Sequence, residues 1–240
     1  MVGWALGLLL ASSTRPISAI PAQSPFSWST VQDSDKRRPA ALDEKLLGIS
    51  KEPSSISLVA FHDERPYGGV ADATAWLVRY SHVPVPAPDG GAPAEVTVFV
   101  AFHSTSNEIL AAFTEAAPIW PKSGWTSDAI AKRAATSWEL FPPQVSTLQS
   151  SVVDVLRHAW KEAGGNPTQG GQITLRPRQF LRKVTIRDAS GKPIPQSKAN
   201  GWVVEILGKK IAANPAGGPV CTQVYVYRDG DFEFSGGLQL

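Results

Sequence analysis

The sequence predicts an α+β fold in which two small antiparallel sheets pack with two central helices. Apolar residues alternate with polar ones in several short segments, which is typical of strands with one buried face. The period becomes helical from residue 126 to residue 163. A hairpin pattern led by tryptophan occurs twice, at Trp76 and at Trp202. The chain has 240 residues, 42% of them hydrophobic and 18% charged, which is typical of a globular protein of one large or two small domains.

The N-terminal residues 1–22 are predicted to be a signal peptide. An apolar run over residues 2–11 is followed by small residues, with a cleavage site after Ala19 or Ala22. The run is too short to span a bilayer, so no transmembrane segment is expected. No Lys or Arg precedes the run, which departs from the usual pattern. Because of the apolar run and the cleavage site after it, we expect a secreted or periplasmic protein. Residues 23–55, rich in Ser, Pro and charge, are predicted to be a flexible leader with one short helix at 41–47.

A first α+β repeat is predicted over residues 56–120. Strands are expected at 56–62, 74–83 and 94–103, separated by segments rich in Gly and Pro. In the third strand, alternation places Val96, Val98, Val100 and Phe102 on one face. The local pattern at 108–113 fits a returning strand or a helix equally well.

A second α+β repeat with two helices is predicted over residues 121–240. The first helix begins at a cap provided by Thr126 or Ser127 and ends at the Pro pair after Phe141. The second helix covers about 145–163 and stops at two glycines. Strands are then expected at 172–188, 201–207 and 220–228, with an Asp-Gly hairpin turn before a last strand at 231–236.

The two tryptophan-led hairpins match at a single spacing of 126 residues. Trp76 falls on Trp202 and Pro93 on Pro219, and Val-Phe-Val at 98–100 falls on Val-Tyr-Val at 224–226. Tryptophan is rare, so these matches favour a duplicated folding unit, although two ordinary hairpins could also converge on them. If the unit is duplicated, segment 108–113 is expected to be a strand.

The order of these elements resembles the PepSY repeat of exported bacterial proteins. The resemblance rests on a helix, a strand, "W-x-V-x-Y" from Trp76, "V-x-V-x-V" from Val96, and a turn followed by "E-I-L" from Glu108. It implies a small cystatin-like module of the cell envelope that binds or restrains a partner without catalysis. Of the Asp-x-x-Thr-Gly-Glu that the family usually carries, this chain keeps only the Glu, so no site residue is carried over.

Three polar residues at strand ends are candidates for metal binding or catalysis. His62 and Asp63 end the first predicted strand and His103 ends the third. In an antiparallel meander these ends lie at one rim, where two imidazoles and a carboxylate could hold a metal or serve a hydrolase. The alternative is that polar residues simply finish strands at the solvent edge.

A basic stretch follows the helices and is a candidate anion-binding site. It contains Arg176, Arg178, Arg182 and Lys183, and only one acidic residue lies between 176 and 198. If this stretch is a strand, the three arginines share a face that could meet a polyanion. The alternative is a solvated outer face, or an edge protected by charge.

Several classes of function are disfavoured. The net charge is only +2 and aromatic residues are not interleaved with the basic ones, so no nucleic-acid partner is expected. The single Cys221 excludes an internal disulfide and a cysteine zinc cage. The common nucleotide, hydrolase and zinc-protease motifs are missing from the sequence, and no cofactor or metal is expected.

The leading hypothesis is an exported, non-catalytic module that binds or inhibits a protein partner in the cell envelope. One alternative is a hydrolase or metal-dependent enzyme with the rim of His62, Asp63 and His103. The other is a polyanion- or carbohydrate-binding module. The sequence leaves the oligomeric state open.

Overall fold

The structure, a computed structural model, describes residues 24–31, 44–88, 90–115, 138–143, 148–163, 172–183, 185, 187–210, 220–228 and 234–239. Its strands are β1 (Phe26–Thr30), β2 (Ser55–Asp63), β3 (Asp72–Val85), β4 (Ala94–His103), β5 (Ile109–Thr114), β6 (Trp138–Phe141), β7 (Ile173–Arg182), β8 (Ala199–Lys210), β9 (Val220–Arg228) and β10 (Phe234–Gln239). Its helices are α1 (Glu44–Leu47) and α2 (Val152–Ala163).

All these strands belong to one antiparallel sheet. Their order is β1-β2-β3-β4-β5-β7-β8-β9-β10, and β6 pairs with β7 beside this path. The predicted α+β fold of two sheets with two central helices is therefore wrong, because the described chain is mostly β and its sheet is continuous. The sheet is joined where β5 pairs with β7, with Ala112 opposite Leu175 and Phe113 opposite Thr174. Alternation of apolar residues marks strands, but it does not tell whether two sets of strands share an edge.

The helices are fewer and shorter in the described residues than predicted. The helix predicted from residue 127 lies outside them except at its end, where Trp138 begins strand β6. The second helix is described from Val152, and its first turn has a capping box. The Ser151 hydroxyl accepts a hydrogen bond from the Asp154 N–H at 3.2 Å, and the Asp154 carboxylate accepts one from the Ser151 N–H at 3.1 Å.

Of the other sequence predictions, some lie outside the described residues and one is confirmed. The predicted signal peptide and the boundary between residues 120 and 121 lie outside the described residues. The predicted leader contains β1 and α1. Residues 109–114 form strand β5, so the expectation of a strand there is confirmed. No helix in the described part of the chain is long and apolar enough to cross a membrane.

The described residues show one order of elements twice, in a first unit of β1–β5 and a second unit of β6–β10. Within the described residues, each unit has a strand, a helix and then four strands. The register shift between Tyr80 and Val83 on β3 recurs between Ile206 and Lys209 on β8, 126 residues later. A second register shift also recurs, between β4 and β5 in the first unit and between β9 and β10 in the second. The residue pair beside this shift is Phe102–Ile109 in the first unit and Tyr227–Phe234 in the second.

The two faces of the sheet have different covers. On one, the helix face, α2 packs against β3, β7 and β8, and the core includes the fully buried Trp202 and Tyr227. Val96, Val98, Val100 and Phe102 all lie in this core, which confirms their shared face. On the opposite face, an aromatic cluster forms around Phe26 and Phe113, whose ring centroids are 4.6 Å apart.

Candidate functional sites

A group of charged side chains lies buried on the face opposite the helices. We call it the ionic cluster; it consists of Asp63, Arg65, Tyr67, Thr174, Arg176, Arg178 and Glu205. Strand alternation explains why part of it comes from β7. Ile173 and Leu175 point into the helix-face core, so Thr174, Arg176 and Arg178 point the other way.

Arg176 is the centre of the ionic cluster. Its Nε and Nη2 donate to the two Asp63 carboxylate oxygens at 2.7 and 2.9 Å. Its Nη1 donates to Glu205 at 2.8 Å and to the Thr174 hydroxyl at 2.9 Å. The guanidinium also lies over the Phe26 ring, 4.6 Å from its centroid. The fork of donors thus meets two carboxylates in the geometry that suits arginine best.

The turn after β2 provides further contacts to the two carboxylates of the ionic cluster. Asp63 accepts the Arg65 N–H at 2.9 Å, which folds the turn back over the sheet. The Tyr67 hydroxyl then donates to Glu205 at 2.7 Å, and the Arg65 Nε lies 3.0 Å from the same carboxylate oxygen. Each buried carboxylate therefore faces at least one guanidinium.

Arg178 holds the same turn through backbone oxygens. Its guanidinium donates to the carbonyls of Pro66, Tyr67 and Pro177. Gly69 leaves the necessary space, since a Cβ on it would lie 2.0 Å from the Arg178 Nη2. A larger residue at position 69 would displace the guanidinium.

The pKa shifts follow from this packing. Burial alone would lower the pKa of Arg176, but Glu205 and Asp63 outweigh it and hold the pKa above its ordinary value. Burial would raise the pKa of Glu205, but Arg176 and Arg65 lower it overall. Burial and Glu205 raise the pKa of Tyr67 well above 10.0. Burial and the neighbouring Arg176 lower the pKa of Arg178 to about 10. At neutral pH, Arg176 and Glu205 are both charged and compensate each other.

The four predicted anion-binding residues are not brought together on one open surface. Arg176 and Arg178 are 0% and 4% exposed, so the expectation of a solvated face is wrong for both. Arg182 is exposed, with its guanidinium 5.3 Å from the centroid of the Trp138 ring. Lys183 is also exposed, just after the end of β7. The buried pair binds the chain's own carboxylate and carbonyl oxygens.

His62, Asp63 and His103 are likewise separated. His62 and Asp63 are neighbours on β2 and point to opposite faces of the sheet. The His62 Nδ1 lies 2.7 Å from an Asp72 oxygen, and Asp63 binds Arg176. The His103 Nδ1 lies 3.1 Å from the Thr105 hydroxyl in its own turn. Among the described residues, no three His, Cys, Asp or Glu side chains are grouped so as to hold a metal ion.

A different row of polar residues crosses the first three strands. Ser27 on β1 is directly opposite His62 on β2, which is directly opposite Asp72 on β3. These three residues line a shallow open depression together with Ser29 and Thr74. The His62 and Asp72 side chains are 45% and 81% exposed.

One half of the outer edge of β2 lacks a neighbouring strand among the described residues. β1 pairs with Val59 to Asp63, and the Val31 N–H reaches only as far as the Leu58 carbonyl, at 3.0 Å. The Glu64 N–H donates to Pro25 on the β1 side, so by alternation the N–H and C=O of Ile56 point to that side as well. We call Ser55 to Leu58 the open half-edge.

In the second unit, the equivalent edge of β7 is paired with two strands. On β7, β6 pairs with Gln179 to Arg182, and β5 pairs with Thr174 and Leu175 along the same edge. Pro177 lies on β7 between the residues that pair with β5 and those that pair with β6, so its missing N–H costs no ladder hydrogen bond. The first unit has β1 in the place of β6, and its open half-edge corresponds to the place of β5.

Sequence reasoning missed several of these residues. Glu205, an acid inside the apolar run "WVVEIL", is a signal for a buried charge with a partner. Ser27 and Asp72 carried no local signal, because only the strand register places them beside His62. The open half-edge follows from strand order, which one hairpin pattern does not contain.

No protein-family model, no curated protein and no solved structure matches this chain.

Proposed function

We propose that this chain is a non-catalytic, exported module that binds an extended segment of a protein partner on its open half-edge. The observation that carries this proposal is the filled counterpart on β7, where β5 occupies the equivalent stretch. A strand added to a sheet edge gains main-chain hydrogen bonds, and alternate side chains provide specificity.

The side chains of the open half-edge suit such a partner. Ser55 is exposed, and Ile56 and Leu58 are half-buried, whereas Thr174 and Leu175 on the filled edge are both 0% exposed. An incoming strand would cover Ile56 and Leu58 and supply partners for the outward N–H and C=O of Ile56. Burial of apolar surface and main-chain pairing would then act together.

Other features support a binding role over the alternatives. The arginines of the ionic cluster are buried and face carboxylate or carbonyl oxygens of the chain itself, so they offer little to a polyanion. The predicted signal peptide favours a partner in the cell envelope. Inhibition of that partner would follow if the bound segment belonged to its active region.

The test is a screen of short extended peptides, followed by amide exchange on the complex. We expect bound peptides to slow exchange at the Ile56 N–H, with no such effect at Thr30 on the outer side of β1. Ile56→Pro removes this donor and should abolish binding. If peptide binders protect other edges and leave Ile56 unprotected, the proposal fails.

A second candidate function is hydrolysis at the Ser27-His62-Asp72 row. The observation that favours it is the short His62–Asp72 contact of 2.7 Å with a serine at the next strand position. A carboxylate on Nδ1 would orient the imidazole, whose other nitrogen would take the serine proton. A fluorophosphonate probe would label Ser27 in the wild type, but not in His62→Ala. Labelling that is lost in Ser29→Ala and kept in Ser27→Ala would exclude this site.

A further inference from the structure

We infer that the strand received by the open half-edge is β10 of a second copy of this chain. The copies would then join head to tail through a seam that repeats the β5–β7 junction inside each chain. This inference rests on the proposed function, because it names the partner of the same edge.

The pairing of β5 with β7 inside the chain is the model for this contact between copies. Ala112 pairs with Leu175 and Phe113 with Thr174. Thr114 extends the contact, because its hydroxyl accepts the Ile173 N–H at 2.9 Å and its carbonyl accepts the Gln172 side-chain amide at 3.2 Å. The strand that donates itself is the last of the first unit, and the strand that receives it is the second of the next unit.

The receiving side exists in the first unit at equivalent positions. Ile56 pairs with Val78 in the first unit, as Leu175 pairs with Val204 in the second. Val204 follows Val78 by the same 126 residues that separate the two tryptophans. Ile56 is therefore the counterpart of Leu175, and Ser55 is the counterpart of Thr174.

The donating side exists in the second unit. β10 is the last strand in the order of the sheet and pairs only with β9 within the described residues. Tyr225 is opposite Val204 as Val100 is opposite Val78, so the strand register makes Tyr225 the counterpart of Val100, one residue before the position that the sequence match gives. Gly237 pairs with Tyr225, as Ala112 pairs with Val100. Gly237 is therefore the counterpart of Ala112, and Leu238 is the counterpart of Phe113. The intermolecular seam would place Gly237 opposite Ile56 and Leu238 opposite Ser55.

The free edges of the described strands agree with this pairing. Among the described residues, β10 provides a donor edge and the open half-edge provides a receiver edge, at different places in the sheet. A contact between unlike surfaces is heterologous, so it generates rings or open filaments and not a two-fold dimer. β1 does not block it, since β7 already accommodates β6 and β5 side by side along one edge.

Cysteine cross-linking tests the register. In the template, Thr174 and Phe113 face each other at a position without ladder hydrogen bonds, because the Ile173 N–H points to β5 and the Thr174 N–H therefore points to β8. Side chains are closest at such positions. In a Cys221→Ser background, Ser55→Cys and Leu238→Cys proteins would be mixed under mild oxidation. We expect a mixed disulfide dimer, and a ladder of oligomers from the protein carrying both changes.

A matched control uses Thr30→Cys, an exposed position on the neighbouring strand β1. If Thr30→Cys cross-links to Leu238→Cys as fast as Ser55→Cys does, or if neither forms a mixed dimer, the register is wrong. Sedimentation of the unmodified chain gives an independent result. We expect association that grows with concentration, and Ser55→Lys should weaken it about tenfold or more, because a charge on an edge strand opposes pairing. Thr30→Lys should leave it unchanged.

The two proposals fail separately. A chain that stays monomeric at all concentrations, yet binds extended peptides with protection of the Ile56 amide, overturns the head-to-tail inference and keeps the binding function. A chain that associates without protection of Ile56 overturns the head-to-tail inference, and if bound peptides also leave Ile56 unprotected, the binding function is overturned as well.

Discussion

Arg176 donates two hydrogen bonds to Asp63, although 113 residues separate them in the sequence. Asp63 ends β2 of the first unit, and Arg176 lies within β7 of the second. Three strands, β3, β4 and β5, stand between them in the sheet. The sheet must therefore curl about this face for the two side chains to meet. The ion pair joins the two units, and its partners are 3% and 0% exposed.

Loss of the Arg176 guanidinium should destabilise the fold strongly. Arg176→Met keeps much of the volume but leaves Asp63 and Glu205 as buried carboxylates with one cation fewer. Breaking a buried pair from one side costs about 3–5 kcal/mol. Urea denaturation followed by tryptophan fluorescence would measure the change in the free energy of unfolding. Arg182→Met, on the same strand but exposed, should change it by less than about 1 kcal/mol. Equal effects of the two changes would show that the ionic cluster has no special structural role.

Stability should depend on acid pH through Glu205. Its pKa is below the ordinary value of 4.5 in the folded chain, because Arg176 and Arg65 outweigh the effect of burial. A carboxyl with a lowered folded pKa stabilises the fold above its unfolded pKa, and this contribution is lost as the pH falls through the folded pKa. Glu205→Gln should therefore be less stable than the wild type at pH 7.

The gap between these two proteins should narrow as the pH falls below about 4.5. Urea midpoints measured across this range would give it, with the exposed Glu95→Gln as a control for the loss of one charge. A gap that stays constant or widens on acidification would contradict the assignment of Glu205 as the titrating group.

Gly69→Ala should act through Arg178. The new Cβ would lie 2.0 Å from the Arg178 Nη2, so the guanidinium must move away from the carbonyls of Pro66 and Tyr67. Overpacking and the loss of these hydrogen bonds are expected to cost about 1–3 kcal/mol. In a double-mutant cycle, Gly69→Ala should cost much less in an Arg178→Ala background. Additive effects would place the strain elsewhere.

The sequence supplied the strands and the duplication more readily than their assembly. Alternation located β2, β3, β4 and β7, and the 126 residues from Trp76 to Trp202 also separate the register shifts on β3 and β8. On β4 and β9 the equivalent residues are 125 apart, because Phe102 is opposite Trp76 and Tyr227 is opposite Trp202, so the sequence match of Val-Phe-Val with Val-Tyr-Val is wrong by one residue. The sequence did not show that β5 pairs with β7, since that contact has only two residue pairs, Ala112–Leu175 and Phe113–Thr174. A short seam leaves almost no local pattern, yet it turns two sheets into one.

The site residues were harder to predict for a similar reason. The run of arginines in β7 was visible, but the residues that neutralise it, Asp63 and Glu205, lie far away in the sequence. His62 was visible as a candidate, but its partner Asp72 is set by the register of the β2–β3 hairpin. Buried charge is a tertiary property, because it depends on which distant carboxylate the fold brings to the guanidinium.

The two equivalent tryptophans should differ in their effect on stability. Trp202 is fully buried beneath α2 and is directly opposite Tyr227, whereas Trp76 is only partly buried at the margin of the same core and is opposite Phe102. Trp202→Ala is expected to cost about 3–5 kcal/mol and Trp76→Ala clearly less. The Trp202 Nε1 is buried without a hydrogen-bond partner in the described part of the chain, so Trp202→Phe removes an unsatisfied donor as well as volume. It should therefore be far milder than Trp202→Ala. Chemical denaturation of the three variants would check this order, and a larger loss from Trp76→Ala than from Trp202→Ala would contradict the deeper burial of Trp202 beneath α2.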